Sequence, residues 1–166
     1  MSEVIQFQKE KLILSRFNGA EVFPILKSSY SFKSDESMPL NGKIISGKEL
    51  EIKIFCGDIE NSSVGSICDE PSILIEIYCT NKKLEAFNNA ESNIFFPSYV
   101  LTDEWEVMAS LYCSGQFDIK KGNIEIVSKN KEDIVLKISG EICDVDYGDS
   151  KPPTKIALLT KAKIID

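Results

Sequence analysis

Apolar and polar residues alternate along most of this chain, and a period of two residues is the period of a β-strand. The alternation is clearest over residues 50–56, 73–79, 134–142 and 156–164. In the last of these segments the lysines fall on one face, which is typical of an edge strand or of a strand with one solvated face. The pattern therefore predicts several strands that each bury one side.

Turn sequences separate the predicted strands. Asn18-Gly19 and Asn41-Gly42 are strong hairpin signals, Lys121-Gly122 divides two further apolar runs, and residues 128–133 predict another turn. The spacing predicts a single all-β domain over residues 1–166, either an antiparallel β-sandwich or a partly closed barrel of about nine or ten strands. Residues 82–89 allow one short helix.

One segment allows two interpretations. From Trp105 to Ile119 the odd positions are mainly apolar, which predicts a long strand with a bulge at Gly115. Asp103 and Glu106 also fit the start of a helix. We prefer the strand, because the alternation continues beyond Gly115, where such a helix would end.

Composition excludes several kinds of chemistry. The chain has no histidine, which removes the imidazole bases of hydrolytic triads and histidine-ligated metal sites. Arg16 is its single arginine and the net charge is −7, so nucleic-acid binding is not expected. Because the sequence also lacks catalytic and phosphate-binding motifs, we predict that the protein is not an enzyme and needs no cofactor.

The cysteines and the apolar segments predict a location. The five cysteines are odd in number, irregularly spaced and without a C-x-x-C pair, which argues against a disulfide framework or a zinc site and predicts buried, reduced side chains. No run approaches the ~20 apolar residues of a membrane span, and no secretory signal is visible. We therefore expect a cytoplasmic protein.

The acidic surplus lies in the middle of the chain. Residues 54–119 hold eleven acids against two lysines, Lys82 and Lys83. The simpler interpretation of this charge is that it keeps the protein soluble. The more specific interpretation is a negative surface that attracts a basic protein partner and increases the rate of association. The candidate partner-binding residues are Asp58, Glu60, Asp69, Glu70, Glu104, Trp105 and Glu106.

Three hypotheses for function follow. The first is an immunity or inhibitor protein that neutralises a basic toxin or nuclease, because nuclease surfaces are basic where they hold phosphates. The second is a calcium- or lipid-binding β-sandwich, since Asp144, Asp146 and Asp149 with Gly148 partly match a calcium loop. The match is incomplete, because the position of the expected bidentate acid is Lys155. The third is a barrel that carries a small molecule.

Overall fold

The structure is a computed structural model that describes residues 6–62, 68–89, 93–96 and 99–165. Within these residues the chain is mostly antiparallel β-sheet with one short helix, which confirms the predicted fold class. The strands are β1 (Lys11–Arg16), β2 (Gly19–Leu40), β3 (Lys43–Cys56), β4 (Asn61–Ser62), β5 (Ser72–Thr80), β6 (Asn93–Phe96), β7 (Val100–Leu101), β8 (Trp105–Tyr112), β9 (Gln116–Asp118), β10 (Lys120–Lys129), β11 (Asp133–Ile142) and β12 (Thr154–Ile165). The helix, α1, spans Asn81–Asn89.

Ten strands follow one path through the sheet, in the order β6-β10-β11-β12-β1-β2-β3-β5-β8-β7, and the path does not close. β4 pairs with β2, and β9 pairs with β8, away from this path. β2 is 22 residues long, so it pairs with β1 near its start, with β3 over most of its length and in parallel with the end of β12. This long strand joins the two halves of the sheet.

The core lies on the inner face of the sheet. Alternate residues of β3, β5 and β8 are buried, so the period-two pattern of the sequence separates an inner face from an outer one. Tyr30, Phe23 and Phe96 are the largest fully buried side chains of the described residues. They fill the interior together with the leucines and isoleucines of the same cluster.

The predicted turns have mixed outcomes. Asn41-Gly42 forms the expected hairpin turn, with positive φ at both residues and Leu40 paired with Lys43. The first hairpin turns one residue earlier than predicted, at Phe17-Asn18, and Gly19 begins β2. The turn at Lys121-Gly122 is wrong: Gly122 lies within β10, and a Cβ there would overlap the ring of Phe96. Close packing rather than a turn therefore requires this glycine.

The segment from Trp105 contains a strand and not a helix, as preferred, but Gly115 does not mark a bulge. It lies in the turn that joins β8 to β9, with Tyr112 paired to Gln116. The edge-strand interpretation of residues 156–164 is also wrong, because β12 lies between β11 and β1. Its exposed lysines mark a solvated face. The short helix forms where it was expected.

One pair of cysteines is oxidised, whereas the sequence predicted reduced side chains. Cys68 and Cys113 form a disulfide across a sequence separation of 45 residues, with Cα atoms 4.9 Å apart. Their spacing carries no recognisable motif, so the pairing could not be predicted from the sequence. Cys56 and Cys79 are buried thiols as expected, and burial raises their pKa values to about 12 and about 11.

The described part of the chain contains no helix with the length and apolar character needed to cross a membrane.

Candidate functional site: an acidic face of the sheet

The structure divides the predicted partner-binding residues into two groups. The first group, at the end of the sheet where β5 begins, is Asp58, Glu60, Asp69 and Glu70. The second group, at the other end of β5 and β8, is Glu104, Trp105 and Glu106. The register places Ser72 beside Tyr112 and Cys79 beside Trp105, so about 23 Å of strand separates the groups. They do not form one patch.

The members of these groups also differ in their surroundings. Asp58, Asp69 and Glu70 are exposed, and Glu60 forms an ion pair with Lys11. Glu104 lies just before β8 and is exposed, whereas Glu106 lies within the strand and is half-buried.

Between the two groups, the outer side of β3, β5 and β8 gathers carboxylates that the charge count along the chain does not bring together. Glu51 lies directly opposite Glu76, which in turn lies opposite Met108. In the next row Glu49 lies opposite Tyr78, which lies opposite Glu106. We call this surface the acidic face, and it consists of Glu49, Glu51, Glu76, Tyr78, Tyr99, Glu106 and Met108.

Glu76 is the electrostatic centre of the acidic face. Its partial burial raises its pKa above the ordinary value, Glu51 and Glu49 raise it further, and Lys53 opposes the shift. Like charges directly opposite each other on neighbouring strands destabilise a sheet. Lys33 and Lys53 offset part of this repulsion through ion pairs with Glu49 (3.4 Å) and Glu51 (3.2 Å).

Two tyrosines border these carboxylates. Burial raises the pKa of Tyr78, and the nearby carboxylates of Glu49, Glu76 and Glu106 add to the shift. The hydroxyl of Tyr99 donates a hydrogen bond of 2.8 Å to Glu106 Oε1, and this bond raises the pKa of Tyr99. Both phenols therefore remain neutral donors and leave the negative charge of the face in place.

A groove of about 470 Å³ runs along β8 beside the acidic face. Its walls include Leu74, Glu76, Tyr99, Met108 and Tyr112. Tyr99 and Tyr112 are exposed, so the groove offers aromatic surface next to a carboxylate. Such a combination suits the side chain of a basic residue, because its stem packs on rings while its charge meets an acid.

The sequence-based candidates include Glu106 but omit Glu49, Glu51 and Glu76. Glu49 and Glu51 lie outside the acidic central segment, and only the pairing of β3 with β5 brings them to Glu76. The alternation of residues 49–56 places both glutamates on the outer side. The sequence shows this alternation, but it does not show which residues of β3 lie opposite which residues of β5.

We expect Glu76→Gln to raise the free energy of unfolding at pH 7 by about 0.5 kcal/mol, because it removes a like-charge pair across the strands. The pKa of Glu76 is raised by folding, so its ionisation lowers stability as pH rises through that value. The gain should therefore shrink towards pH 4, in urea unfolding followed by circular dichroism. The matched control is Glu125→Gln, which removes a glutamate that lies opposite Lys137 and should not stabilise. Equal effects of the two variants would contradict the argument.

Two of the three residues predicted as metal ligands, Asp144 and Asp146, bind an arginine side chain instead. Arg16 Nε and Nη2 each lie 3.1 Å from one oxygen of Asp144, and Nη2 lies 2.6 Å from Asp146 Oδ2. Burial opposes ionisation of Asp144, but hydrogen bonds from Arg16 and from the amides of Asp146 and Tyr147 outweigh it and lower the pKa of Asp144. Asp149 is exposed. Among residues 6–62, 68–89, 93–96 and 99–165, no cluster of three or more acidic or cysteine side chains is arranged to hold a metal ion.

Comparison of the chain with protein-family models, curated proteins and solved structures finds no match.

Proposed function

We propose that this chain is a protein-binding module whose acidic face binds a basic protein, and that it neutralises a basic toxin or nuclease. The observation that carries the proposal is the pair Glu51 and Glu76, which are half-buried and lie directly opposite each other on the outer face of the sheet. Such a pair opposes folding, and local conflicts of this kind are expected at functional sites. A basic side chain placed between the two carboxylates would remove the repulsion.

The surroundings of this pair support a protein partner. Tyr99, Tyr112 and Met108 expose aromatic and flexible apolar surface beside the carboxylates. Tyrosine is enriched among the residues that dominate binding energy at interfaces, and methionine adapts to irregular partners. Negative charge on the same face increases the association rate with a basic protein.

The inhibitory role follows from the chemistry of the proposed partner. A nuclease or a toxin that acts on nucleic acid holds phosphates with lysine and arginine. A protein that covers these residues with carboxylates competes with the substrate for the same surface. The cytoplasmic location remains part of the proposal, and the disulfide between Cys68 and Cys113 opposes it, because disulfides are rare in that compartment.

The two alternatives have less support. The carboxylates that suggested a calcium loop bind Arg16 instead. The inner positions that a carried ligand would need are filled by large side chains such as Phe23 and Tyr30.

The test compares two double variants that change the net charge equally. Glu51→Gln with Glu76→Gln neutralises the centre of the acidic face, whereas Glu132→Gln with Asp149→Asn neutralises two exposed carboxylates outside it. Each protein is used to capture partners from a lysate of the native cell, and captured proteins are quantified by mass spectrometry at low and high salt. We expect a basic protein whose capture falls about tenfold in the first variant, stays unchanged in the second and is released by salt.

Equal loss in both variants would assign the binding to net charge rather than to the acidic face. Capture unchanged in the face variant would contradict the proposal directly. Purified partner is then tested for inhibition of its activity by the wild-type chain, and full activity in the complex would contradict the inhibitory role.

A further inference from the structure

A second groove, of about 380 Å³, lies at the end of the sheet where α1 meets β6 and β8. Its walls are largely apolar and aromatic, and include Phe87, Ile94, Phe95 and Trp105. Phe95 is exposed and Trp105 is half-buried. Trp105 faces the inner side of β8, so this groove is separate from the acidic face on the outer side.

A cation already lies on the tryptophan. Lys83 Nζ is 4.4 Å from the centroid of the Trp105 ring, within the range of a cation–π interaction. Two contacts fix this arrangement: Thr80 Oγ1 accepts a hydrogen bond from Lys83 N at the start of α1, and Thr80 N donates to the carbonyl of Glu104. The start of the helix and the start of β8 are thereby held together.

The position of Lys83 is unfavourable for the helix. The first turn of α1 contains Lys82 and Lys83 and no acidic residue. A helix N-terminus carries partial positive charge, so cations there oppose helix formation. Helix stability therefore does not explain Lys83, whereas its contact with the ring does.

Negative charge lies beside Trp105. Asp103 and Glu104 immediately precede it and are exposed, whereas Glu106 belongs to the acidic face on the other side of the strand. An incoming cation would therefore be attracted by two carboxylates in addition to the ring. This charge complementarity defines the occupant as a basic side chain.

We propose that the Trp105 groove binds a lysine or arginine side chain of the basic partner, and that Lys83 is the internal ligand which this side chain displaces. The inference rests on the proposed function and specifies a second contact of the same partner. Displacement releases Lys83 to solvent at the helix surface, so the groove exchanges one cation for another.

The test uses the fluorescence of Trp105, the single tryptophan of the chain, titrated with arginine amide at constant ionic strength. Lys83→Ala removes both the ammonium group and most of the side chain from the ring, and the matched control Lys82→Ala removes the same charge from the neighbouring, exposed position. We expect arginine amide to bind Lys83→Ala about two- to fivefold more tightly than Lys82→Ala, the size of an exposed cation–π contact. Glycinamide, which lacks the guanidinium, should give no fluorescence change in either variant.

Equal affinities of the two variants, or emission from Lys83→Ala that does not respond to arginine amide, would overturn the inference. Circular dichroism of both variants verifies that α1 is retained. The capture experiment on Glu51 and Glu76 reports on the outer face alone. Loss of capture there, combined with equal titrations here, would reject the Trp105 groove and leave the proposed function standing.

Discussion

Replacing Arg16 with methionine is expected to lower the free energy of unfolding by about 3–5 kcal/mol, because it leaves buried carboxylates without their counter-charge. Asp144 and Glu21 are both buried, and Glu21 Oε1 lies 3.6 Å from Arg16 Nη1. Within the described residues Glu21 Oε2 has no hydrogen-bond partner, so removal of the guanidinium isolates this group further. Urea unfolding at pH 7, followed by circular dichroism, measures the loss.

Asp146→Asn is the matched control, since the side chain of Asp146 is 36 % exposed and water replaces much of the lost interaction. We expect it to cost about 1 kcal/mol or less. The pKa of Asp144 is lowered by folding, so its stabilising contribution is complete at neutral pH and is lost as pH falls through that lowered value. Arg16→Met should therefore flatten the acid dependence of stability. A loss below about 1 kcal/mol for Arg16→Met would contradict a stabilising role for this cluster.

Removal of the disulfide is expected to cost about 2–4 kcal/mol, because the bond between Cys68 and Cys113 restricts the unfolded chain over a separation of 45 residues. The experiment compares urea unfolding of the wild type with that of Cys68→Ala/Cys113→Ala, each with and without dithiothreitol. The reductant should destabilise the wild type and leave the double variant unchanged. Cys143→Ala, which removes a half-buried free thiol, serves as the control and should respond to dithiothreitol as the wild type does.

Wild-type stability that does not change with dithiothreitol would contradict this expectation. The same comparison bears on where the protein works. If the reduced chain is much less stable, an oxidising compartment suits the fold better than the cytoplasm that the cysteine spacing suggested.

The sequence predicted the features that depend on neighbouring residues. Alternation over residues 49–56 separates the inner side chains of β3 from the outer ones, and the Asn41-Gly42 turn follows from the positive φ that both residues tolerate. Gly122 was misassigned because its requirement comes from the ring of Phe96, which approaches from another strand. A glycine needed for packing and a glycine needed for a turn are identical in the sequence.

The candidate site depended on contacts between distant residues, and its prediction was correspondingly partial. Glu106 belongs to the acidic face, but Asp69 and Glu70, which belong to the same charged segment, lie at the other end of β5. Asp144 and Asp146 matched a calcium loop because the motif shows the carboxylates and not Arg16, which precedes Asp144 by 128 residues. Local spacing cannot distinguish an ion pair of this kind from a metal ligand set.

The position of β1 determines when this protein is able to fold during its synthesis. β1 pairs with β2 on one side and with β12 on the other, so Lys11 meets Leu159 across nearly the whole described chain. A nascent chain that has not yet released β12 from the ribosome therefore presents β1 with an open hydrogen-bonding edge and with Leu12 and Leu14 incompletely covered. Such non-local pairing predicts folding in milliseconds to seconds, once β12 is available to pair. Until β12 docks, the unpaired edge is the part of the chain most exposed to aggregation.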